Sequence, residues 1–405
     1  MDVTAPRHRE YLAVSALSFV LVATVFLSTP LITTRAGFDA DGSRYGTMAG
    51  SPLFPASRAL DAPWCYRVLT PALVKALPVE TLLGFRIVGF ASNVVTLLIL
   101  YLLLRKLRFR HTTSLTGVVL YAGVFWTLKF TAYSPAYVDH QTNLFWVGAI
   151  YLCISHRFSW LALVLGVGVL QKEVFLPLSL FGVAELWAYR AGLGRKLLWM
   201  KVAFLIGAPL ITFIAVRAII DGHSVSNFPE NPLEALWKNI NEVADRRFVP
   251  MFTQAVFSGL GITGVFVLAH SRRSLEYICT RPSWIVLLGV STVFLFGGVD
   301  KARSFAYMLP LLVVLSVHAL EASRLSLQRW YLTVALLLGT HLFIGGHFKE
   351  MSAVEDYLHE WVPRWAGWEF LPYLYRNLAV GLVFFVCQRW LGRQRSSIDT
   401  SDATS

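Results

Sequence analysis

The stretch LLGFRIVGFASNVVTLLILYLLL at residues 82–104, followed directly by RKLRFR at 105–110, decides the fold class. An apolar run of this length lets an α-helix cross the hydrocarbon core of a bilayer, which takes about 20 residues. Inside the bilayer every backbone N–H and C=O needs a partner within the segment, and a helix provides one. A cluster of Arg and Lys directly after such a run is typical of the cytoplasmic end of a membrane span.

Similar runs recur along the chain and predict about 12 spans, within a range of about 10–13. The composition agrees, because 56% of the 405 residues are hydrophobic and 15% are charged, against about 25% charged in soluble domains. We therefore predict an all-α polytopic transmembrane bundle, with one domain over 1–391 and a disordered cytoplasmic tail at 392–405. The predicted cores are 11–31, 82–104, 113–132, 141–155, 159–171, 174–189, 198–220, 252–270, 283–298, 305–322, 331–348 and 372–391.

The connections between these runs alternate in character. Short basic turns alternate with outer loops, of which the long ones lie at 32–81, 221–251 and 349–371. The positive-inside rule places the basic turns and both termini in the cytoplasm. We expect a multi-pass protein of a bacterial or archaeal cell membrane. Its net charge of +12 then indicates topology and contact with anionic membrane lipid, and does not indicate nucleic acid.

Ionisable residues collect at the outer ends of the predicted spans. Charge at membrane depth is costly and is usually retained for function. Because these residues share one side and a similar depth, the sequence predicts a single site that faces outward. They are Asp39, Asp41, Arg67, Asp139, His140, Lys172, Glu173, Asp300, Lys301 and Arg303.

The first outer loop begins with FDADGSRYGTMA at residues 38–49. Asp39 and Asp41 come directly after the first span, and a carboxylate there can act as a general base or bind a divalent cation such as Mg²⁺ or Mn²⁺. The alternative is a solvated turn rich in Asp and Gly. Tyr45 follows Asp41 at short range.

The same loop continues with DAPWCYRVLTPALVKAL at residues 61–77. Tyr66, Leu69, Leu73 and Leu77 recur at helical spacing, which predicts a short helix in the outer interface, kinked or ended by Pro71. Arg67 is suited to holding a phosphate at headgroup level. The alternative is an arginine that only snorkels to lipid headgroups.

Three other outer turns carry charge, and each has a structural alternative. Lys172 and Glu173 face a polar cavity or form a local ion pair that caps their turn. The basic pair Lys301 and Arg303 is suited to a lipid phosphate. Asp139 is a second acid of the site or a helix N-cap, and the N-cap role is the commoner one for Asp at the start of a span.

Aromatic and histidine residues near the last outer loop favour structural roles. Trp361, Trp365 and Trp368 can stack on sugar rings, but aromatic side chains also collect at membrane interfaces, and this second interpretation is favoured. His341 and His347 have poor spacing for one metal, so we expect them to be packing residues.

The order of these features resembles the GT-C superfamily of membrane glycosyltransferases, which use sugars linked to polyprenyl phosphates. The likeness covers the topology of nearly the whole chain, and its residue-level strength lies in 38–77. It implies a lipid-linked sugar donor, a glycan, lipid or protein acceptor, and Asp39 or Asp41 as catalytic base or metal contact. Asp41 is the first choice because Tyr45 follows it at short range. The sequence lacks a Trp-Trp-Asp signature and a large soluble domain after the last span, which favours a single-sugar transferase over an oligosaccharyltransferase.

The resemblance implies an inverting transfer, with the phosphate held by Arg67, Lys172 or Arg303 and with Tyr45, Tyr66, Asp139, His140 and Glu173 lining the substrate. Two alternatives stay open. A transporter or flippase for a lipid-linked or anionic solute would share the buried charges, although it favours midplane charges and related halves. A membrane assembly protein that kept the fold without catalysis would share all of these features.

Overall fold

The computed structural model describes residues 8–32, 37–38, 41–220, 241, 245–297, 301–323, 325–345 and 368–393. Over these ranges the chain forms helices joined by short turns and contains no strand. The helices are α1 His8–Ser28, α2 Asp41–Gly50, α3 Leu53–Arg58, α4 Leu69–Lys75, α5 Thr81–Lys106, α6 His111–Ala122, α7 Phe130–Tyr133, α8 Asp139–Ile154, α9 Phe158–Val169, α10 Phe175–Ala188, α11 Arg195–Ile219, α12 Phe248–Leu260, α13 Thr263–Ala269, α14 Ser271–Cys279, α15 Pro282–Gly297, α16 Lys301–Phe305, α17 Leu309–Ala322, α18 Leu327–Ile344 and α19 Leu371–Arg393.

Each predicted apolar core coincides with one helix or with a bent pair, so the all-helical class is confirmed. By length and composition, α1, α5, α11 and Leu371–Leu391 of α19 can cross a membrane. Three bent pairs raise this number to 7 within the described part of the chain, with bends of 59° after α6, 99° between α12 and α13, and 113° between α14 and α15. The figure of about 12 spans, which requires the shorter apolar helices to span as well, stays a prediction.

The ends of the helices are tied by polar contacts. Glu10 of α1 lies 3.6 Å from Arg105 and accepts a 3.3 Å hydrogen bond from Tyr101, both on α5. Glu321 of α17 accepts hydrogen bonds from the backbone N–H of Arg110 and from Thr113. These contacts gather residues of the basic turns at one end of the bundle. Which face of the membrane that end occupies stays a prediction from the positive-inside rule.

Short helices fill the first outer loop, but not as the leucine spacing predicts. A 3₁₀ turn at Trp64–Tyr66 precedes α4, so Tyr66 is not part of the same helix as Leu69 and Leu73. The prediction that Pro71 kinks or ends the helix is wrong. It lies in the first turn of α4, where its missing N–H breaks no intrahelical bond. Leu73 is exposed, while Thr70, Pro71 and Val74 are buried.

Two close contacts fix the segment that carries Arg303. The indole nitrogen of Trp146, on α8, donates a 3.0 Å hydrogen bond to the carbonyl of Tyr307. On the other side α16 packs directly on α12 at Gly259, where an added Cβ would collide with the carbonyl of Ala302 and lie 2.5 Å from Cβ of Phe305. A glycine at this position therefore sets how closely α16 approaches the bundle.

The bend between α12 and α13 is built on Gly261 and His341. Gly261 has φ +57°, a conformation that residues with a side chain rarely adopt. His341 is buried, and its Nε2 lies 2.6 Å from the carbonyl of Leu120, to which the ring donates. The prediction that His341 is a packing residue is confirmed, while His347 lies outside the described residues.

We predict that Gly261→Ala destabilises the protein by about 1–3 kcal/mol, because the backbone is strained for alanine and the new Cβ would lie 2.6 Å from the His341 ring. The midpoint of thermal unfolding in detergent measures the effect. The matched control is Gly264→Ala in α13, where the added Cβ meets only Leu260 at 3.5 Å. This control is expected to be neutral or slightly stabilising, and an equal loss in both variants would contradict the packing argument.

Candidate active site

The centre of the site is an ion-pair chain built on Arg303. Its Nε donates to Oδ1 of Asp139 at 2.9 Å, and its Nη2 lies 2.6 Å from Oδ2 of the same carboxylate. Its Nη1 lies 3.3 Å from Oδ2 of Asp41. Lys172 extends the chain, with Nζ 3.2 Å from Oδ1 of Asp139. The guanidinium contacts one carboxylate through two nitrogens and a second carboxylate through the third. It therefore fixes the distance between the two acids.

A second set of contacts lies beside the first and is built on Arg67. Its Nη1 donates to the hydroxyl of Tyr45 at 3.2 Å, and its Nη2 lies 3.2 Å from Oε2 of Glu173. Tyr45 is fully buried and stands one helical turn after Asp41 on α2, so both side chains lie on one face of this helix. Lys172 belongs to the first set and Glu173 to the second. Because these two residues are adjacent in one turn, the two sets lie side by side.

The local structure explains why Asp139, Lys172 and Glu173 point where they do. Asp139 is the first residue of α8 and Val138 is its N-cap, so the prediction of Asp139 as an N-cap is wrong. Its carboxylate instead faces the cations of other segments. The local pair between Lys172 and Glu173 is not formed either, because each of these side chains bonds to a different partner.

A neutral hydrogen-bond network supports the charged one. The amide nitrogen of Gln171 donates to the carbonyl of Val138 at 2.6 Å, and the hydroxyl of Thr70 lies 2.8 Å from Oε1 of Gln171 and 2.5 Å from Oε1 of Gln141. All three side chains are buried. The contacts tie α4, α8 and the turn after α9 together at the level of the ion pairs, which limits the rotamers of the neighbouring charges.

Two tyrosines that were not selected from the sequence flank the cations. Nζ of Lys172 lies 5.5 Å from the centroid of the Tyr307 ring, and the guanidinium carbon of Arg303 lies 5.1 Å from that of Tyr137. Both distances are within the range of a cation–π interaction. In the sequence, only the closeness of Tyr137 to Asp139 and of Tyr307 to Arg303 could have indicated that these tyrosines lie at the site.

The six ionised side chains are balanced in charge, with the acids Asp41, Asp139 and Glu173 against the bases Arg67, Lys172 and Arg303. Burial lowers the pKa of Lys172 to about 8. Asp139 opposes this shift, whereas Arg303 and Arg67 add to it. Burial acts to raise the pKa of Glu173, but Arg67 outweighs it and holds that pKa below its usual value. The result is a neutral cluster in which Lys172 is the cation that loses its proton most readily.

The three carboxylates differ in accessibility. The side chain of Asp139 is 10% exposed and faces two cations, whereas those of Asp41 and Glu173 are 20% and 27% exposed. Asp41 has one contact to a cation, and at 3.3 Å it is longer than the contacts that Asp139 makes to Arg303. A carboxylate that is held in place but lightly paired is suited to accept a proton from a substrate hydroxyl.

The remaining predicted site residues form none of these ion pairs or lie outside the described residues. His140 is buried, and its ring lies against Gly89 of α5. Tyr66 packs on Arg217 of α11. Asp39 and Asp300, the side chain of Lys301, and Trp361 and Trp365 are outside the residues that the structure describes.

The described donor set does not fit a divalent cation. Among the described side chains, no three of His, Cys, Asp or Glu come together as metal ligands. Each carboxylate of the cluster already faces an arginine or lysine, which a metal ion would have to displace. The predicted Mg²⁺ or Mn²⁺ site at Asp39 and Asp41 stays a prediction, since Asp39 is outside the described part of the chain.

Comparison with known proteins identifies the fold. The structure matches the crystal structure of an oligosaccharyltransferase from Archaeoglobus fulgidus, tethered to an acceptor peptide with the NVT sequon, at a TM-score of 0.52. The match covers 91% of this chain, with 11% sequence identity. The chain therefore shares the fold of this archaeal oligosaccharyltransferase. The chain spans 59% of the length of the archaeal protein, and at this identity the likeness concerns the fold alone.

The GT-C resemblance inferred from the sequence is thus confirmed at the level of the fold. No protein-family model matches the sequence, and no curated protein matches it. Identification of the site therefore depends on the charges and distances of this chain.

We predict that Asp139→Asn costs about 3–5 kcal/mol of stability, because it leaves two buried cations without their shared partner. Asp41→Asn removes a single longer contact and leaves Arg303 paired with Asp139, so it is expected to cost less than Asp139→Asn. The temperature at which the buried thiols of Cys65 and Cys153 react with a fluorescent dye measures both effects. Asp139→Asn combined with Lys172→Met is expected to recover part of the loss, and strictly additive losses would argue against the pairing.

Proposed function

We propose that this protein is a membrane glycosyltransferase that moves a sugar from a polyprenyl-phosphate carrier to an acceptor on the outer face of the membrane. The observation that carries the proposal is the cluster of three acids and three bases, largely buried, at one end of a GT-C fold. Such a cluster is costly to bury, and that cost is justified where charge develops during a reaction.

The cations of the cluster are suited to stabilise the leaving group. As the bond between the anomeric carbon and the phosphate oxygen breaks, the electron pair stays on the polyprenyl phosphate and its negative charge grows. Lys172, Arg303 and Arg67 are already fixed in position by their ion pairs, so they can stabilise this charge without reorganisation. We assign them this role because an arginine fork and a lysine ammonium are the usual partners of phosphate.

Asp41 is suited to activate the attacking hydroxyl group. In the proposed reaction the acceptor hydroxyl loses its proton to Asp41 while its oxygen forms the new bond to the anomeric carbon. A single displacement of this kind inverts the anomeric configuration. Tyr45 and Arg303 hold α2 and the carboxylate in place, and neither needs to exchange a proton. Asp39 precedes Asp41 by two residues and is the alternative base.

We predict that Asp41→Asn lowers kcat at least about 100-fold, the usual contribution of a general base, while binding of the donor is nearly unchanged. Purified protein in lipid nanodiscs, a panel of radiolabelled polyprenyl-phosphate sugars and an envelope extract as acceptor provide the assay. Glu173→Gln is the matched control, because this carboxylate is similarly exposed and is paired with a different arginine.

The outcome of the matched pair identifies the base. Loss of transfer in Glu173→Gln with full activity in Asp41→Asn would assign the proton transfer to Glu173. Full activity in both variants together with loss in Asp39→Asn would move it to Asp39. No transfer by the wild type with any donor of the panel would count against the enzyme and in favour of a transporter or an assembly protein.

We further predict that the KM for the donor rises with pH above about 8. Lys172 is charged below its lowered pKa of about 8 and neutral above it, so the site turns net negative and repels phosphate as the pH rises. Beyond this pKa the charged fraction falls about tenfold per pH unit. Steady-state kinetics between pH 6.5 and 9.5 measure the effect. Lys172→Arg keeps its charge over this range, and an equal rise in that variant would contradict the assignment.

A further inference from the structure

Arg217 is a cation on the lipid-facing flank of the bundle. It lies near the predicted outer end of α11. Only 17% of the most apolar stretch of this helix is buried within the protein. Its neighbours Ile211, Ile214 and Ile219 are exposed, as residues in contact with lipid tails would be. A charge among such residues is costly, and it either reaches the headgroup region or serves a ligand.

The side chain of Arg217 does not extend freely towards the headgroups. Its guanidinium carbon lies 3.5 Å from the ring centroid of Phe213, one turn earlier on α11, and 4.3 Å from that of Tyr66. Tyr66 ends the 3₁₀ turn of the first outer loop and is followed directly by Arg67 of the active-site cluster. Two ring contacts fix the guanidinium plane beside that cluster, which lowers the entropy cost of binding a ligand.

The N–H groups of Arg217 have no acceptor among the described residues. The guanidinium makes two ring contacts, but it forms no hydrogen bond or ion pair with the described part of the chain. Glu173, its strongest acidic neighbour, is bonded to Arg67. Arg58, by contrast, donates from Nε and Nη2 to the carbonyl of Ile219 at the end of the same helix. A held guanidinium with five donors to offer is suited to a phosphate.

We propose that Arg217 binds the phosphate of the polyprenyl-phosphate donor, with the prenyl chain lying along the lipid-facing side of α11. The inference rests on the proposed function and adds the side from which the carrier enters. The balanced cluster has no surplus charge for an anion, and Arg217 supplies one positive charge at its lipid-facing edge. The phosphate passes from Arg217 to Arg67 and Lys172 as the sugar reaches Asp41.

A binding measurement that needs no sugar transfer tests the inference. Protein in phosphatidylcholine nanodiscs is titrated with farnesyl phosphate and with farnesol. Wild type is expected to prefer the phosphate, and Arg217→Gln to weaken phosphate binding about 10- to 100-fold, the range for hydrogen bonds to charged groups, with farnesol unchanged. Arg217→Lys is expected to lie between them, since it keeps the charge but loses the planar fork.

The matched control lies at the other end of the same helix. Lys201 also packs on an aromatic ring, with Nζ 5.5 Å from the centroid of Phe158, so Lys201→Gln removes a similar cation away from the proposed subsite. It is expected to bind farnesyl phosphate as the wild type does. An unchanged thermal midpoint of Arg217→Gln shows that its loss of binding is not a loss of fold.

The possible failures are distinguishable. Wild-type sugar transfer together with unchanged phosphate binding in Arg217→Gln would overturn the role of Arg217 and leave the enzyme intact. Phosphate binding that depends on Arg217, without transfer from any donor, would support the subsite and count against the enzyme. Displacement of farnesyl phosphate by phosphatidylglycerol at equal mole fraction would assign the subsite to an ordinary anionic lipid and overturn our choice of the donor.

Discussion

The contact between Arg303 and Asp139 is the one on which the rest of the site depends. It joins residues 164 positions apart through two short contacts, and it brings α16 over the start of α8. Taking two charges out of water costs several kcal/mol per ion, and the cost is offset only where geometry is good and further partners are present. Asp41 and Lys172 are those partners. The positions of Asp41, the proposed base, and of Lys172, a proposed phosphate-binding cation, therefore both depend on the pair between Arg303 and Asp139.

A balanced cluster of this kind is well suited to a reaction in which charge moves. Its contacts are unequal in length. The guanidinium nitrogens of Arg303 lie 2.6 and 2.9 Å from the carboxylate oxygens of Asp139 but 3.3 Å from that of Asp41. A substrate hydroxyl can therefore approach Asp41 by weakening the longest contact, while the shorter pairs keep the cations in place. A transporter of an anion would not need such a distinction, because it has no proton to accept. This difference favours the enzyme as the proposed function.

The sequence predicted the helices better than it predicted their partners. Long apolar runs locate helices because burial in lipid leaves the backbone few alternatives, and the alternation of basic and long connections placed the charged residues at a common end. Which charged side chains pair with one another depends on how distant segments of the chain pack together. Lys172 and Glu173 are adjacent, yet they turn to Asp139 and Arg67. The bend at Gly261 depends on a histidine far along the chain, and no local pattern carries that information.

Arg217 shows why residues of a membrane site can be missed in sequence. It lies near the end of the apolar run 198–220, where a cation is expected to snorkel to the headgroups, so its position alone does not indicate a site. Only the structure places it between Phe213 and Tyr66, with Tyr66 next to Arg67 in the chain. The first outer loop thus contacts the lipid-facing helix α11 on one side of the 3₁₀ turn and the ion-pair cluster on the other. Such a loop can couple the arrival of a lipid phosphate at α11 to the position of Arg67, and through Tyr45 to the helix that carries Asp41.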